Sequence, residues 1–86
     1  MKLDNLREKI DKVDEKIIKL IAKRFSVVEK IKSFKRNNHI PVFQKKREEE
    51  ILNHVRLLNK NYKLSEKFII KIWKEMLKES KTYQQK

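Results

Sequence analysis

The sequence predicts an all-α protein, and three observations lead to this expectation. The 86 residues include no glycine and a single proline, so the chain has few of the residues that form tight hairpin turns. Lys, Glu, Leu and Ile dominate the composition, which favours long helices. The apolar residues recur at spacings of three and four, the periodicity of one helical face. A chain of this length makes one domain at most, so we predict a single domain over residues 1–86.

The first predicted helix is long, and its apolar residues alternate at spacings of three and four. They are Leu3, Leu6, Ile10, Val13, Ile17 and Leu20, and then Val27, Ile31 and Phe34. We expect a helix over about 4–37, capped by Asp4, with Asn37 or Asn38 adopting the left-handed conformation that stops a helix. At about 1.5 Å per residue it would be roughly 50 Å long. A compact chain of this size needs no such length, so something beyond the chain must cover the helix.

Two shorter helices follow a loop that contains the sole proline, Pro41. We expect one over about 44–60 and the other over about 65–83, with Ser65 as N-cap of the latter. The apolar stripe of the third helix consists of Phe68, Ile69, Ile72, Trp73, Met76 and Leu77. Each short helix is about half as long as the first, so the two together cover only part of it. Antiparallel pairing of two long helices in a homodimer would cover the rest.

The composition excludes some functions and favours others. The absence of cysteine rules out disulfides and thiolate metal sites. His39 and His54 are isolated from each other, with no second histidine at metal-binding spacing, so we expect no metal. No run of 18 apolar residues occurs, and the first residues mix acidic, basic and leucine side chains, so we expect a cytoplasmic protein without membrane contact. The formal charge of +12 favours an anionic partner: nucleic acid, a lipid surface or a small polyanionic substrate.

Cations interrupt the apolar stripe of the first helix. The alternation requires an apolar residue between Leu20 and Val27, and the sequence has Arg24 there. A charge at a buried position is costly unless an anion meets it. Lys35 lies about three turns further on, within about 20° of the Arg24 direction and about 16 Å away. Arg7 lies about 25 Å before Arg24, so only an antiparallel partner helix could bring its copy to the same pocket.

Four more polar residues lie where core-facing residues are expected. The apolar stripe of the second helix consists of Ile51, Leu52, Val55 and Leu58. Arg47 and Glu48 lie one turn before Ile51 and Leu52, at the inward end of that stripe. Ser80 and Gln84 extend the stripe of the third helix. Each has an ordinary structural explanation. An arginine on an apolar face commonly snorkels or pairs with a carboxylate such as Glu48, and Ser80 and Gln84 lie near a C-terminus, where polar residues are usually exposed. Only the combination is specific.

A family pattern now emerges from these residues. It consists of the run LREKIDKVDEKIIKLIAKR, followed by Lys35, Pro41, Arg47, Glu48, Ser80 and Gln84. This pattern resembles the all-α, AroQ-type (type II) chorismate mutases over nearly the whole chain. The resemblance implies an intertwined homodimer of six helices with two identical sites. It also implies an isomerase that converts chorismate into prephenate, in phenylalanine and tyrosine biosynthesis, without cofactor, metal or covalent intermediate.

The resemblance further implies a role for each residue at the carboxylate end of the substrate. Arg24 and the partner's Arg7 would hold the two carboxylates of chorismate. Ser80 would assist them, and Arg47 would support this end or buttress the site.

At the reacting end, the resemblance implies that Lys35 and Gln84 bond the ether oxygen and that Glu48 accepts the ring hydroxyl. One position departs from the family pattern. An acidic residue often helps to hold the hydroxyl at position 44, where this chain has Gln44, so that contact would pass to a backbone amide or to Glu48 alone.

Three alternatives stay open from the sequence. An isochorismate pyruvate lyase of the same fold would use a similar basic pocket. A basic helical nucleic-acid-binding module would explain the charge of +12, but here the key cations interrupt apolar stripes instead of forming one basic face. A helical dimerisation domain without catalysis is the third.

Overall fold

The computed structural model describes residues 2–85 and contains three helices. They are α1 (Lys2–Asn37), α2 (Lys45–Asn59) and α3 (Glu66–Gln85). No strand occurs in the described part of the chain, which confirms the predicted all-α class. α3 packs against both α1 and α2, so it is the element that joins the fold. None of the helices described is both long and apolar enough to cross a membrane.

The ends of α1 differ from the expected ones in two details. The helix begins at Lys2, so Asp4 does not cap it. Asp4 lies in the first turn, where a carboxylate interacts favourably with the positive end of the helix dipole. α1 ends at Asn37 as expected, but neither Asn37 nor Asn38 is the left-handed residue, because the positive φ of 55° belongs to His39.

Backbone hydrogen bonds explain why the left-handed residue is His39. The His39 amide donates to the carbonyl of Arg36 (3.4 Å), and the Ile40 amide donates to the carbonyl of Lys35 (2.8 Å). This pair of bonds is the Schellman arrangement, which requires a left-handed residue one position before Ile40. Asn38 satisfies another terminal carbonyl, because its side chain donates to Phe34 O at 2.8 Å.

The short helices begin and end within two residues of the expected positions. Gln44 is the N-cap of α2 in an extended conformation but makes no side-chain capping bond. Ser65 caps α3, since its Oγ accepts a bond from the Phe68 amide (3.3 Å). Between them, the Asn59 side chain donates to the carbonyl of Leu64 (2.8 Å) and accepts from the amide of Leu64 (3.2 Å). α3 continues to Gln85, so Gln84 is helical.

The single chain buries little apolar surface. In the part of the chain that the structure describes, the buried apolar side chains are Val28, Val55 and Leu77. Phe68, expected in the stripe of α3, is 57% exposed because it lies in the first turn of the helix. The apolar residues of α1 that are exposed include Leu3, Leu6, Ile10, Val13, Ile17, Leu20, Val27, Ile31 and Phe34.

The shape is correspondingly elongated. The molecule measures 57 × 25 × 16 Å, with a radius of gyration of 16.2 Å. A compact chain of this length would have a radius of gyration of about 12 Å. The long helix therefore projects beyond the two shorter ones, and its apolar row lies open to solvent.

Candidate active site

The C-terminal half of α1 and the C-terminal half of α3 form the framework of the site. Both halves contribute a buried side chain, Val28 from α1 and Leu77 from α3. The rings of Phe25 and Tyr83 pack against each other with centroids 4.7 Å apart and an interplanar angle of 32°. These contacts place the polar residues at the end of α3 beside the two cations that interrupt the stripe of α1.

Arg24 and Ser80 form the first polar contact between these helices. Arg24 Nη1 donates to Ser80 Oγ at 3.2 Å, and Ser80 Oγ donates in turn to the carbonyl of Met76 at 2.8 Å. Ser80 is buried, and Arg24 is half-buried. Burial lowers the pKa of Arg24, and the positive charge of Arg47 lowers it further. A guanidinium stays protonated in proteins, so this part of the site holds two positive charges that an anion would stabilise.

Lys35 and Gln84 form the second contact. Lys35 Nζ donates to Gln84 Oε1 at 2.8 Å and to the carbonyl of Val42 at 2.9 Å. These acceptors use two of the three ammonium donors. Gln84 Nε2 makes only a long bond of 3.4 Å, to the carbonyl of Ser80. Burial lowers the pKa of Lys35, and the negative charge of Glu48 partly opposes that shift.

The first turn of α2 closes the site. A cavity of about 60 Å³ lies between the loop after α1, the start of α2 and the end of α3. It is lined by Lys35, Val42, Gln44, Arg47, Glu48, Ile51, Leu77, Lys81 and Gln84. The Glu48 carboxylate contacts Lys81 Nζ at 3.4 Å, whereas Arg47 pairs with Glu50 at 3.5 Å. The cavity alone is smaller than the pockets that hold drug-sized ligands, and Arg24 and Ser80 lie outside its lining.

Five of the eight residues predicted for the site line this cavity, and two more, Arg24 and Ser80, contact each other one turn of α3 before Gln84. Arg7 is the exception: it is exposed on the N-terminal part of α1, about 25 Å from Arg24 by helical rise. Sequence reasoning missed two features, the carbonyl of Val42 and the side chain of Lys81. Lys81 follows Leu77 at helical spacing, which is the available signal, but a lysine near a helix C-terminus is more commonly exposed to solvent.

Titratable side chains do not cluster elsewhere in a way that suggests metal chemistry. In the described range 2–85, no group of three or more His, Asp or Glu side chains is placed to hold a metal ion. The site instead contains cations, amides and one carboxylate.

A match to a known protein family identifies the kind of protein in which this site occurs. The family model described as chorismate mutase type II matches residues 6–85. The chain belongs to the type II chorismate mutase family. The match includes both ends of the site, from Arg7 on α1 to Gln84 on α3.

Individual chorismate mutases agree with this assignment. The chain is similar to a chorismate mutase of Methanocaldococcus jannaschii, with 36% identity over 83 residues that cover 96% of this chain and 84% of the relative. It is also similar to a bifunctional chorismate mutase/prephenate dehydratase of Buchnera aphidicola, with 32% identity over 80 residues, or 93% of this chain and 21% of the relative. No solved structure matches the chain significantly.

Proposed function

We propose that this chain catalyses the rearrangement of chorismate to prephenate in a site shared between two copies of the chain. The observation that carries the proposal is the Lys35–Gln84 pair, joined at 2.8 Å and lying along the same two helices as Arg24 and Ser80. Two sets of donors along the same pair of helices suit a substrate with carboxylates and an ether oxygen. Membership of the type II chorismate mutases supports the same substrate.

The proposed reaction depends on the conformation in which the protein holds the substrate more than on acid, base or nucleophilic side chains. A [3,3]-sigmatropic rearrangement moves no proton and requires no nucleophile, but the substrate must be held in a compact, chair-like shape. Arg24 would bind one carboxylate with the donors that Ser80 leaves available, since a guanidinium has five N–H donors. Arg47 adds positive charge nearby, as its effect on the pKa of Arg24 indicates.

Lys35 and Gln84 would act on the ether oxygen. Because the C–O bond breaks before the C–C bond is complete, negative charge gathers on this oxygen in the transition state. Lys35 holds Gln84 Oε1, which turns the Nε2 donors of the amide away from the ammonium group. An ammonium donor and an amide donor placed in advance stabilise the developing charge more than the ground state.

Glu48 would accept the hydroxyl of the substrate ring. It is the carboxylate among the described residues that line the cavity. Gln44 lies at the same edge, in an extended conformation before α2, and its side chain carries no charge to repel Glu48. We therefore assign the hydroxyl contact to Glu48.

We also propose that Arg7 of a second copy completes each site. The open apolar row of α1 needs a cover, and another α1 running antiparallel would supply one. This arrangement would carry the partner's Arg7 along the helix to the neighbourhood of Arg24. A chorismate dianion would then meet one arginine from each chain.

A direct assay tests the activity. Loss of chorismate and appearance of prephenate would be followed at low and moderate salt, and pyruvate would be measured in parallel. We expect prephenate as the product, with a KM that rises with salt because the substrate is a dianion. Release of pyruvate without prephenate would indicate the lyase, and no turnover of chorismate would contradict the proposal.

Subunit complementation tests the shared site. Arg7→Ala and Arg24→Ala should each be nearly inactive alone, and co-refolding of the two variants should restore part of the activity. One site of the mixed dimer would contain both arginines. Recovery should be absent when Arg24→Ala is mixed with Lys35→Ala, because both residues belong to the same chain's half of the site.

A further inference from the structure

Lys81 occupies a place in the site that the mechanism above does not use. Its Nζ lies 3.4 Å from Glu48 Oε2 and 4.8 Å above the centroid of the Phe43 ring. The side chain is half-buried and lines the same cavity as Lys35 and Gln84. Lys81 therefore connects the C-terminal part of α3 to the loop before α2 and to the first turn of α2.

The other cations of the cavity bind elsewhere. Lys35 donates to Val42 O and Gln84 Oε1, and Arg47 pairs with Glu50. Lys81 is thus the cation that the structure pairs with Glu48. A carboxylate with one oxygen engaged by an ammonium group retains the other oxygen as an acceptor.

We propose that Lys81 is a positioning residue that holds Glu48 Oε2, so that Glu48 Oε1 is presented to the hydroxyl of the substrate ring. This inference rests on the proposed mutase function and deepens it, because it makes Lys81 a determinant of hydroxyl recognition. Lys81 acts through Glu48: its ammonium group lies between a carboxylate and the face of an aromatic ring, and both are protein groups.

The ion pair between Lys81 and Glu48 affects the geometry of Glu48 more than the stability of the protein. The Lys81 and Glu48 side chains retain 34% and 25% of their exposure, so solvent screens the ion pair and its contribution to folding is small. A glutamate side chain has several rotamers, however, and fixing one of them before substrate binds reduces the entropy lost on binding. Loss of the tether should thus weaken substrate binding while the protein stays folded.

A double-mutant cycle tests the proposal. Lys81→Met keeps the length and apolar stem of the side chain and removes the ammonium group, and Lys81→Arg keeps the charge. Lys78→Met removes one positive charge from an exposed position on the same helix and is the matched control for net charge. kcat and KM for chorismate would be measured for these variants, for Glu48→Gln, and for the double variant Lys81→Met/Glu48→Gln.

We expect Lys81→Met to raise KM about tenfold, on the usual scale of coupling between contacting residues, with kcat changed less. Lys81→Arg should restore most of the affinity, and Lys78→Met should stay within about twofold of wild type, as expected for a surface charge. In the Glu48→Gln background, Lys81→Met should have little further effect, because there is no carboxylate left to hold.

Two kinetic results would overturn the inference while leaving the mutase function intact. One is a Lys81→Met variant that behaves like Lys78→Met. The other is an equal loss in the presence and absence of the Glu48 carboxylate, which would mean that Lys81 acts independently of Glu48. If Lys81→Met unfolds, Lys81→Gln serves in the same cycle, and unfolding of both would make Lys81 a folding residue and overturn the proposal. An inactive wild-type chain would instead overturn the proposed function together with this inference.

Discussion

Lys35 and Gln84 hold each other in the orientation that the proposed chemistry requires. The bond of 2.8 Å between Lys35 Nζ and Gln84 Oε1 orders a long, flexible lysine before substrate arrives. The same bond engages the oxygen of the Gln84 amide and leaves Nε2 as its donor end, with a long bond of 3.4 Å to the carbonyl of Ser80. Neither residue needs to exchange a proton during the reaction, so the pair can be tested by changing its protonation behaviour.

Replacement of Gln84 by glutamate should make the enzyme depend on acid. The amide of Gln84 can donate at any ordinary pH, whereas a carboxyl group donates only when protonated. Gln84→Glu should lose about 3 kcal/mol of transition-state stabilisation at neutral pH, on the scale of removing an oxyanion donor, and should recover as the pH falls. The neighbouring Lys35 ammonium would delay this recovery to a lower pH than that of an ordinary glutamate.

The measurement for Gln84 is kcat/KM from pH 4.5 to 8 for wild type and Gln84→Glu. Gln85→Glu, a change at the exposed neighbouring position, is the control and should follow the wild-type profile. Parallel profiles for Gln84→Glu and wild type would mean that Gln84 does not touch the reacting oxygen.

The ammonium group of Lys35 should limit activity at alkaline pH. Its pKa in the folded protein is lowered, chiefly by burial, so kcat/KM should fall at a lower pH than the ordinary lysine value of about 10.4 implies. Lys35→Arg should move this decline to higher pH, because a guanidinium stays charged. An unchanged alkaline limb in Lys35→Arg would exclude Lys35 as its cause.

The stability consequence of the lowered Lys35 pKa has a definite sign. Between the folded pKa and the higher unfolded pKa, the unfolded chain binds more protons than the folded chain. Stability of the ligand-free protein should therefore rise with pH through this window. Below this pH window Lys35 is charged in the folded protein, and a bound dianion would offset the free-energy cost of burying that charge.

At the scale of secondary-structure elements, the C-terminal end of α1 also positions part of the site. The Schellman arrangement at the end of α1 joins Ile40 to the carbonyl of Lys35, which turns the chain sharply. The turn brings the carbonyl of Val42 back to the Lys35 ammonium group. The hydrogen bonds that end α1 therefore also place the carbonyl of Val42 beside Lys35.

The N-cap of α3 should stabilise the fold measurably. Ser65 Oγ accepts a hydrogen bond from the Phe68 amide, so Ser65→Ala should cost about 1 kcal/mol and lower Tm by about 4–8 °C if unfolding is two-state. Ser33→Ala, at an exposed position inside α1, removes a hydroxyl from a helix interior and should not lower Tm. Thermal unfolding followed by circular dichroism compares them, and equal Tm values would show that the cap contributes nothing.

At the scale of the whole molecule, the single chain has a hydrophobic core that is too small for its length. Its buried apolar side chains in the described range are few, while the apolar row of α1 is exposed along most of its length. A chain of 86 residues with so small a core would have little free energy of unfolding by itself. Stability and a complete site would therefore come from the same association.

We predict a homodimer that does not dissociate without unfolding. Analytical ultracentrifugation at micromolar concentration should give a dimer, and the midpoint of denaturation should rise with protein concentration. Ile10→Lys, which places a charge in the apolar row, should abolish both dimer and fold. Asn5→Lys adds the same charge outside the row and should abolish neither. A folded monomer of the wild-type chain would contradict the prediction.

The helices, and the polar residues that interrupt their apolar stripes, could be predicted from the sequence because both depend on local information. The spacing of apolar residues predicts α1, α2 and α3, and Arg24 was conspicuous because it breaks that spacing. The capping of α3 by Ser65 also follows from local chemistry. The identity of the left-handed residue does not follow from local chemistry. In a chain without glycine, asparagine is the residue expected there, and the hydrogen bonds that select His39 involve Ile40 and the loop.

The packing of the helices against one another determines which of these residues come into contact. Arg24 and Ser80 are 56 residues apart in the chain, and Lys35 and Gln84 are 49 apart. Periodicity places each residue on a face of its helix, but it does not specify which face of another helix packs there or in which register. Lys81 was missed for this reason: on one helix it is another lysine near a C-terminus, and only packing between α2 and α3 brings it to Glu48.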